Sequence, residues 1–295
     1  MTESKEETLL LVDGMALMFR AYYASAVTGY IRRTKAGLPT NAVYGFMRYF
    51  LDAVEKFGPT HVACCWDLGS KTFRTAQYPA YKGNRSEAPD DLIPQFSVIR
   101  EVMDSLGVPN ISSEGYEADD CIGTLAAQFS REMNVVVLTG DHDMLQLVNE
   151  RTSIAIMKKG YGNYFVYTPQ SLFEERQLTP AQIIDVKGLM GDPSDNYPGV
   201  RGIGEKTALK LVQEYENVEG ILANLDKLSK GIRTKIETDL EMLHLSRDLA
   251  SIRCDIALEC DLRSCRWELN HSVVVAKFEE LEMKSVCSWM GVQAL

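Results

Sequence analysis

Three apolar runs, each stopping at aspartate, constrain this chain more than any other feature. They are Thr8-Leu-Leu-Leu-Val-Asp13, Thr60-His-Val-Ala-Cys-Cys-Trp66-Asp67 and Asn134-Val-Val-Val-Leu-Thr139-Gly-Asp141-His-Asp143. None alternates apolar with polar residues. Strands of that kind are buried on both faces, which places them in a parallel sheet with helices on either side, an α/β fold. In such sheets the carboxyl ends of the strands share one edge, and ligands bind in the crevice outside it. Asp13, Asp67 and Asp141 are therefore expected on one rim. A single aspartate at a strand end is ordinarily a turn former or a cap; three on the same rim form a constellation.

A fourth acidic stretch strengthens it. Glu114-Gly-Tyr-Glu117-Ala118-Asp119-Asp120 runs straight into the helical apolar pattern Ile122, Leu125, Ala126, Phe129. If Ala118 begins the helix, Glu117 and Asp120 face the same side. Acids at a helix start complement its dipole and cap its free N–H groups, but three together repel one another unless a cation lies between them. Gly191-Asp192-Pro-Ser-Asp195-Asn196 adds two more, making nine acids with Asp143. The formal charge of −10, from 31 basic and 41 acidic residues, argues by itself against a nucleic-acid partner. Setting the nine acids aside leaves the rest of the chain near neutral, so clustering decides the matter and net charge does not.

Other features narrow the class. No stretch of about 18 apolar residues is present, so no membrane span is expected. The polar, acidic start, Met1 to Glu7, reads as neither a signal nor a transit peptide, and a cytoplasmic protein is expected. The seven cysteines, Cys64, Cys65, Cys121, Cys254, Cys260, Cys265 and Cys287, include no C-x-x-C pair; they read as reduced thiols and not as a zinc box. His61, His142, His244 and His271 are scattered and receive no catalytic role.

Along the chain, residues 41–57 read as a helix capped by Asn41, with Val43, Phe46, Met47, Phe50 and Val54 on one face. Residues 70–95 break the pattern. Lys71, Arg74, Lys82 and Arg85 interleave there with Phe73, Tyr78 and Tyr81, a composition suited to single-stranded nucleic acid, cations meeting phosphates and rings stacking on bases. A solvated loop fits that stretch equally well, and its Pro and Gly content suggests a mobile excursion from the sheet. A helix follows over about 92–106. Residues 152–157 and 164–167 read as a strand pair, and Thr168-Pro169 opens a helical half. There a helix over 181–190 precedes Gly199-Val-Arg201-Gly202-Ile-Gly204-Glu-Lys206-Thr207, a tight hairpin opening a helix that runs to about Tyr215. Bare N–H groups at such a start can meet a phosphate, with Arg201 and Lys206 adding charge. It is neither a dinucleotide fingerprint nor a Walker loop, because no strand precedes it and no G-K-[ST] occurs. Helices are expected over 232–247 and 273–289, and extended chain over 249–262.

Taken together, Leu11-Val-Asp13-Gly14, Trp66-Asp67, Tyr81-Lys82-Gly83-Asn84-Arg85, the Glu114–Asp120 stretch, Thr139-Gly-Asp141-His-Asp143, Gly191–Asn196 and Gly199–Gly204 closely resemble the bacterial and phage 5′→3′ exonuclease/flap endonuclease family, over about residues 8–265. The wording Asp67-Leu68-Gly69-Ser70 departs from many relatives while keeping the Asp. The resemblance implies a PIN-like fold with a central, mostly parallel sheet, a helical arch, and a C-terminal helical subdomain of the helix–hairpin–helix type. Its domains would be 1–175, with the arch at 70–95, and 176–295, with the hairpin at 191–215. It implies a free-standing, monomeric, structure-specific nuclease of DNA acting on 5′ flaps, nicks and RNA primers paired to DNA. Asp13, Asp67, Glu117, Asp119 and Asp120 would hold a first Mg²⁺ or Mn²⁺, and Asp141, Asp143, Asp192 and Asp195 a second, with a K⁺ ion at the hairpin. Lys82 and Arg85 would act at the scissile phosphate beside Asp119 and Asp120. Lys71, Arg74, Tyr81, Gly199, Arg201, Gly202, Gly204, Lys206 and Thr207 would contact DNA.

The residues fit that chemistry independently. Phosphodiester hydrolysis at neutral pH needs an activated water and charge neutralisation at the leaving oxygen, which a pair of hard cations on carboxylates provides. Two rivals share the scaffold: a metal-dependent phosphatase or ribonuclease, which the hairpin and the 70–95 stretch oppose, and a non-catalytic branched-DNA binding protein, which the intact acid set opposes.

Overall fold

The computed structural model describes residues 6–27 and 29–292. Residues 1–5, the first part of the polar start, lie outside the described residues. The six-stranded sheet comprises β1 (Thr8–Asp13), β2 (His61–Cys65), β3 (Asn110–Ile111), β4 (Asn134–Thr139), β5 (Thr152–Met157) and β6 (Tyr164–Tyr167), in the order β3-β2-β1-β4-β5-β6. All neighbours are parallel except β5 and β6, the expected strand pair. The register sets Asp13 beside Cys65 and Val12 beside Leu138, so the aspartate-bearing ends share one edge, as the apolar runs require.

Around the sheet lie α1 (Gly14–Ala26), α2 (Asn41–Phe57), α3 (Phe73–Gln77), α4 (Gln95–Ser105), α5 (Ala118–Phe129), α6 (Pro169–Arg176), α7 (Gln182–Met190), α8 (Glu205–Tyr215), α9 (Val218–Ala223), α10 (Lys230–Thr238), α11 (Leu240–Ala250), α12 (His271–Glu280) and α13 (Lys284–Trp289). Strand periodicity distributes the central strands between two cores. Leu9, Leu11, Val135 and Val137 pack with α5, α7 and α8 on one side. Leu10, Val12, Val136 and Leu138 pack with α1, α2, α4 and α12 on the other. Each such side chain contributes about 1.5–3 kcal/mol on burial, which is why the runs carry no polar residue.

Several expectations are corrected. Asn41 is the first residue of α2 and caps nothing; its amide donates to Ser25 and its carbonyl oxygen accepts from Gln95. Within the 70–95 stretch only 73–77 and Gln95, where α4 begins, are helical, and 78–94 is built of turns and irregular chain. The reason is Tyr81, 4% exposed, whose burial folds the stretch onto the protein. The 232–247 helix breaks at Asp239 into α10 and α11, and the 273–289 helix breaks near Glu282, whose φ is +55°. Helix α1 and the two-residue β3 carry too little periodicity to be read from sequence. The 249–262 stretch contains no strand and crosses α5 as a strap. It passes Gly123, where a Cβ would lie 2.6 Å from Ile252 Cγ2 and 3.1 Å from the Arg253 carbonyl oxygen.

Candidate active site

The carboxyl edge gathers the first acids. Asp13 follows directly from β1 into α1. Its Oδ1 accepts from the Ala16 N–H at 2.9 Å and its Oδ2 from the Thr139 hydroxyl at 2.7 Å. Burial, then the charges of Asp141 and Asp67, raise its pKa to about 6 against the lowering effect of those hydrogen bonds. Asp67 crosses to the acidic helix, its Oδ1 accepting from Ala118 N–H at 2.7 Å. Glu117 caps α5 through its carboxylate. Asp119, on the first turn, has a carboxyl raised well above the usual range by burial and by the charges of Asp13 and Asp141.

A second group adjoins it. Ligand oxygens of Asp143, Asp192 and Asp195 lie within 4.8 Å of one another. Asp141 is tied to the group: its N–H donates to Thr139 Oγ1, and its Oδ1 accepts from Asp143 N–H at 2.8 Å. Burial and the Asp141 charge raise Asp143 to about 6. Against burial, hydrogen bonds from Lys187 and Ser194 hold Asp192 below the usual carboxylate range. Lys187, absent from the sequence reading, donates to Asp143 at 2.7 Å and also to Asp192. A lone lysine in the last turn of a helix carries no signal; only the fold brings it between two acids.

The basic stretch closes over both groups. Lys82 donates to Glu117 at 2.9 Å and Arg85 to Asp195 at 2.6 Å. Lys82 has a φ of +54°, held by its own N–H donating to the Asp195 carbonyl at 2.8 Å. Both side chains line a cleft of about 960 Å³ together with Asp67, Glu117 and Arg100. Lys71 is exposed but lies outside this cleft, against Gly115 and Tyr116.

Three expected roles do not fit this geometry. Tyr81, read as a stacking partner for a base, is buried beneath the cleft; its hydroxyl lies 3.2 Å from Glu117 and 3.0 Å from Asp195, and its ring stacks on Tyr197. Arg74, read as a DNA contact, is 2% exposed. Asp120, read as a catalytic and metal-binding carboxylate, is fully buried and bonded to Arg74 by both oxygens, at 2.8 and 2.9 Å. A salt bridge between residues 46 apart leaves no trace in sequence.

The hairpin sits between α7 and α8. Gly204 is the N-cap of α8 and offers no side chain, while Arg201, Gly202 and Lys206 are exposed and Thr207 half-buried. Arg201 N–H donates to Asp239 at 2.9 Å, and the Gly202 carbonyl accepts from Lys235 Nζ at 2.8 Å. Gly199 abuts Gly191, so one turn positions both Asp192 and Asp195 and the hairpin. Asp143, Asp192 and Asp195 supply oxygen donors, the kind that hard divalent cations take, and the mutual repulsion of the acids is what such ions relieve.

Comparison with known proteins places the chain. Two family models match: the 5'-3' exonuclease N-terminal resolvase-like domain over residues 8–177 and the 5'-3' exonuclease C-terminal SAM fold over 178–272. A Bacillus subtilis (strain 168) 5'-3' exonuclease is 49% identical over 278 residues, 94% of each chain. DNA polymerase I of the same organism is 39% identical over 99% of this chain, which spans only 33% of the polymerase. The fold is shared with T5 5'-exonuclease bound to zinc, at a TM-score of 0.67 and 21% identity over 97% of this chain and 99% of that one. It is shared too with the catalytic core of Rad2 in complex with DNA substrate, at 0.60 and 15% over 97% and 93%. The two family models together span nearly the whole sheet-and-hairpin assembly, and the chain belongs to the 5'-3' exonuclease family.

Proposed function

We propose that this chain is a metal-dependent 5′→3′ exonuclease and flap endonuclease of DNA. The carrying observation is the joining of two acid groups, from the sheet edge and from the 191–199 turn, under Lys82 and Arg85. Asp13, Asp67, Glu117 and Asp119 would hold one Mg²⁺ or Mn²⁺, and Asp141, Asp143, Asp192 and Asp195 a second. Such cations supply charge neutralisation at the phosphate and a water acidic enough to lose its proton near neutral pH. Lys82 and Arg85 bind the scissile phosphate and orient it, Arg85 by its planar fork and Lys82 as a point charge. Arg201, Lys206, Thr207 and the bare N–H groups after Gly204 grip the duplex backbone by charge and shape, without reading bases; a K⁺ ion at the hairpin would assist. We assign 1–175 to the nuclease half and 176–295 to the gripping half.

The test is cleavage of a labelled 5′-flap duplex. Short 5′ products are expected in Mg²⁺ or Mn²⁺ and none in EDTA. Binding of the flap without cutting in either ion would sink the nuclease reading in favour of a binding protein.

The raised carboxyls add a pH signature. Asp13 and Asp143, at about 6 when folded, titrate near 3.9 in the unfolded chain. Between those values the native state binds more protons, so stability of the cation-free protein falls as pH rises through that window. A cation must displace the same protons below pH 6. Saturating Mg²⁺ is therefore expected to raise Tm by about 5 °C at pH 7.5, for a hundredfold excess over Kd, and by clearly less at pH 5. An equal or larger rise at pH 5 would contradict the assignment.

A further inference from the structure

Arg74 and Asp120 form a buried joint whose hydrogen bonds are fully used. A carboxylate has about four lone-pair sites. Oδ1 of Asp120 accepts from Arg74 Nη2 and from the Arg253 N–H, both at 2.9 Å. Oδ2 accepts from Arg74 Nη1 at 2.8 Å and from the Glu117 N–H at 3.0 Å. No site is left for a cation. A guanidinium has five N–H donors, and those of Arg74 are equally committed. Nε donates to the Leu249 carbonyl at 2.9 Å, Nη2 to the Ser251 carbonyl at 2.8 Å as well as to Asp120, and Nη1 reaches Glu117 at 3.4 Å beyond its bond to Asp120. With 2% exposure and no spare donor, Arg74 has nothing to offer a phosphate.

The joint connects three separate parts of the site. Arg74 stands on α3, the base of the stretch that carries Lys82 and Arg85. Asp120 stands in the first turn of α5, beside Glu117 and Asp119. Leu249, Ser251 and Arg253 belong to the end of α11 and the strap after it. Helix α11 also holds the hairpin, since the Gly199 N–H donates to Ser246 Oγ at 3.1 Å. Buried ion pairs are a weak source of stability and are best attested as devices that specify one arrangement.

We propose that Arg74 and Asp120 are a positioning pair: they hold the acidic helix start in register with the duplex-gripping hairpin and so set where the strand is cut, and Asp120 contacts neither cation nor DNA. This rests on the nuclease reading above. Arg74→Lys keeps the charge but cannot span both carboxylate oxygens and two carbonyls; Asp120→Asn keeps the shape but presents a donor to Arg74.

The test uses the full chain and two readouts, calorimetric titration with Mn²⁺ in the absence of DNA, and the distribution of cut positions on a labelled 5′-flap. Both variants are expected to retain the wild-type number of Mn²⁺ ions with affinity within threefold, while Asp119→Asn loses tenfold or more. Both are expected to spread the cut over flanking nucleotides. The proposal is overturned if Asp120→Asn weakens Mn²⁺ binding as Asp119→Asn does, or if either folded variant keeps the wild-type cut position. Should Asp120→Asn fail to fold by circular dichroism, Arg74→Lys decides through the cut position. A wild type that binds Mn²⁺ yet cuts no DNA removes the nuclease reading and the register role with it, while the titration still decides whether Asp120 is a ligand.

Discussion

Asp119→Asn is expected to lower flap cleavage by about 10²–10³-fold, as loss of one charged group stabilising a transition state typically does, and to leave the fold intact. The two expectations come from the same geometry. Asp119 is half-buried beside Asp13 and Asp141, and its carboxyl is raised by burial and by their charges. Among the described residues its side chain accepts no hydrogen bond that holds the backbone together, unlike Asp13 with Ala16 and Thr139 or Asp67 with Ala118. Removing its charge relieves repulsion in the cation-free protein and, under the proposed assignment, would deprive bound cations of a ligand. Single-turnover cleavage and thermal unfolding in EDTA measure the two sides separately. Activity within tenfold of wild type would remove Asp119 from the site. A large fall in Tm would make its role structural.

Gly199→Ala is expected to be a strongly damaging single-methyl change. Gly199 has a φ of +61°, and a Cβ there would lie 2.2 Å from Gly191 N and 2.7 Å from the Leu189 carbonyl oxygen. These are backbone atoms, which cannot swing aside as a side chain can. The left-handed conformation costs alanine about 1–2 kcal/mol, and overpacking adds about 1–3 kcal/mol. For a chain of this size the sum lowers Tm by about 5–15 °C. Local damage reaches the site as well, because the Asp192–Tyr197 turn is packed against Gly199 through Gly191. Gly231→Ala is the control: it lies in α10 with nothing within 4 Å, and helix propensity favours alanine there by up to about 1 kcal/mol. A Gly199→Ala variant melting within 2 °C of wild type would refute the packing argument.

The shared rim of Asp13, Asp67 and Asp141 was legible because strand burial is a local, periodic property. A run such as Leu9 to Val12 can be apolar throughout only where both faces are covered, and the aspartate that ends it must then lie on the rim. The acidic start of α5 at Ala118 and the β5–β6 pair were legible for the same reason, each being written in neighbouring residues. The 70–95 stretch was not, because its path depends on Tyr81 entering a buried pocket between Glu117, Asp195 and Tyr197.

By itself the sequence determined the α/β class, the shared edge of the aspartates and the family resemblance. Only the tertiary structure decided what individual charges do. Asp119 and Asp120 are adjacent and chemically identical, yet one faces its fellow acids and the other is consumed by Arg74, Arg253 and Glu117. Likewise Lys187 has meaning only once α7 is set against Asp143 and the 191–199 turn. The physical reason is that apolar burial is dictated by a residue's own neighbours in the chain. The role of a charge is dictated by whichever donors and acceptors the fold carries to it from 46 or 133 residues away.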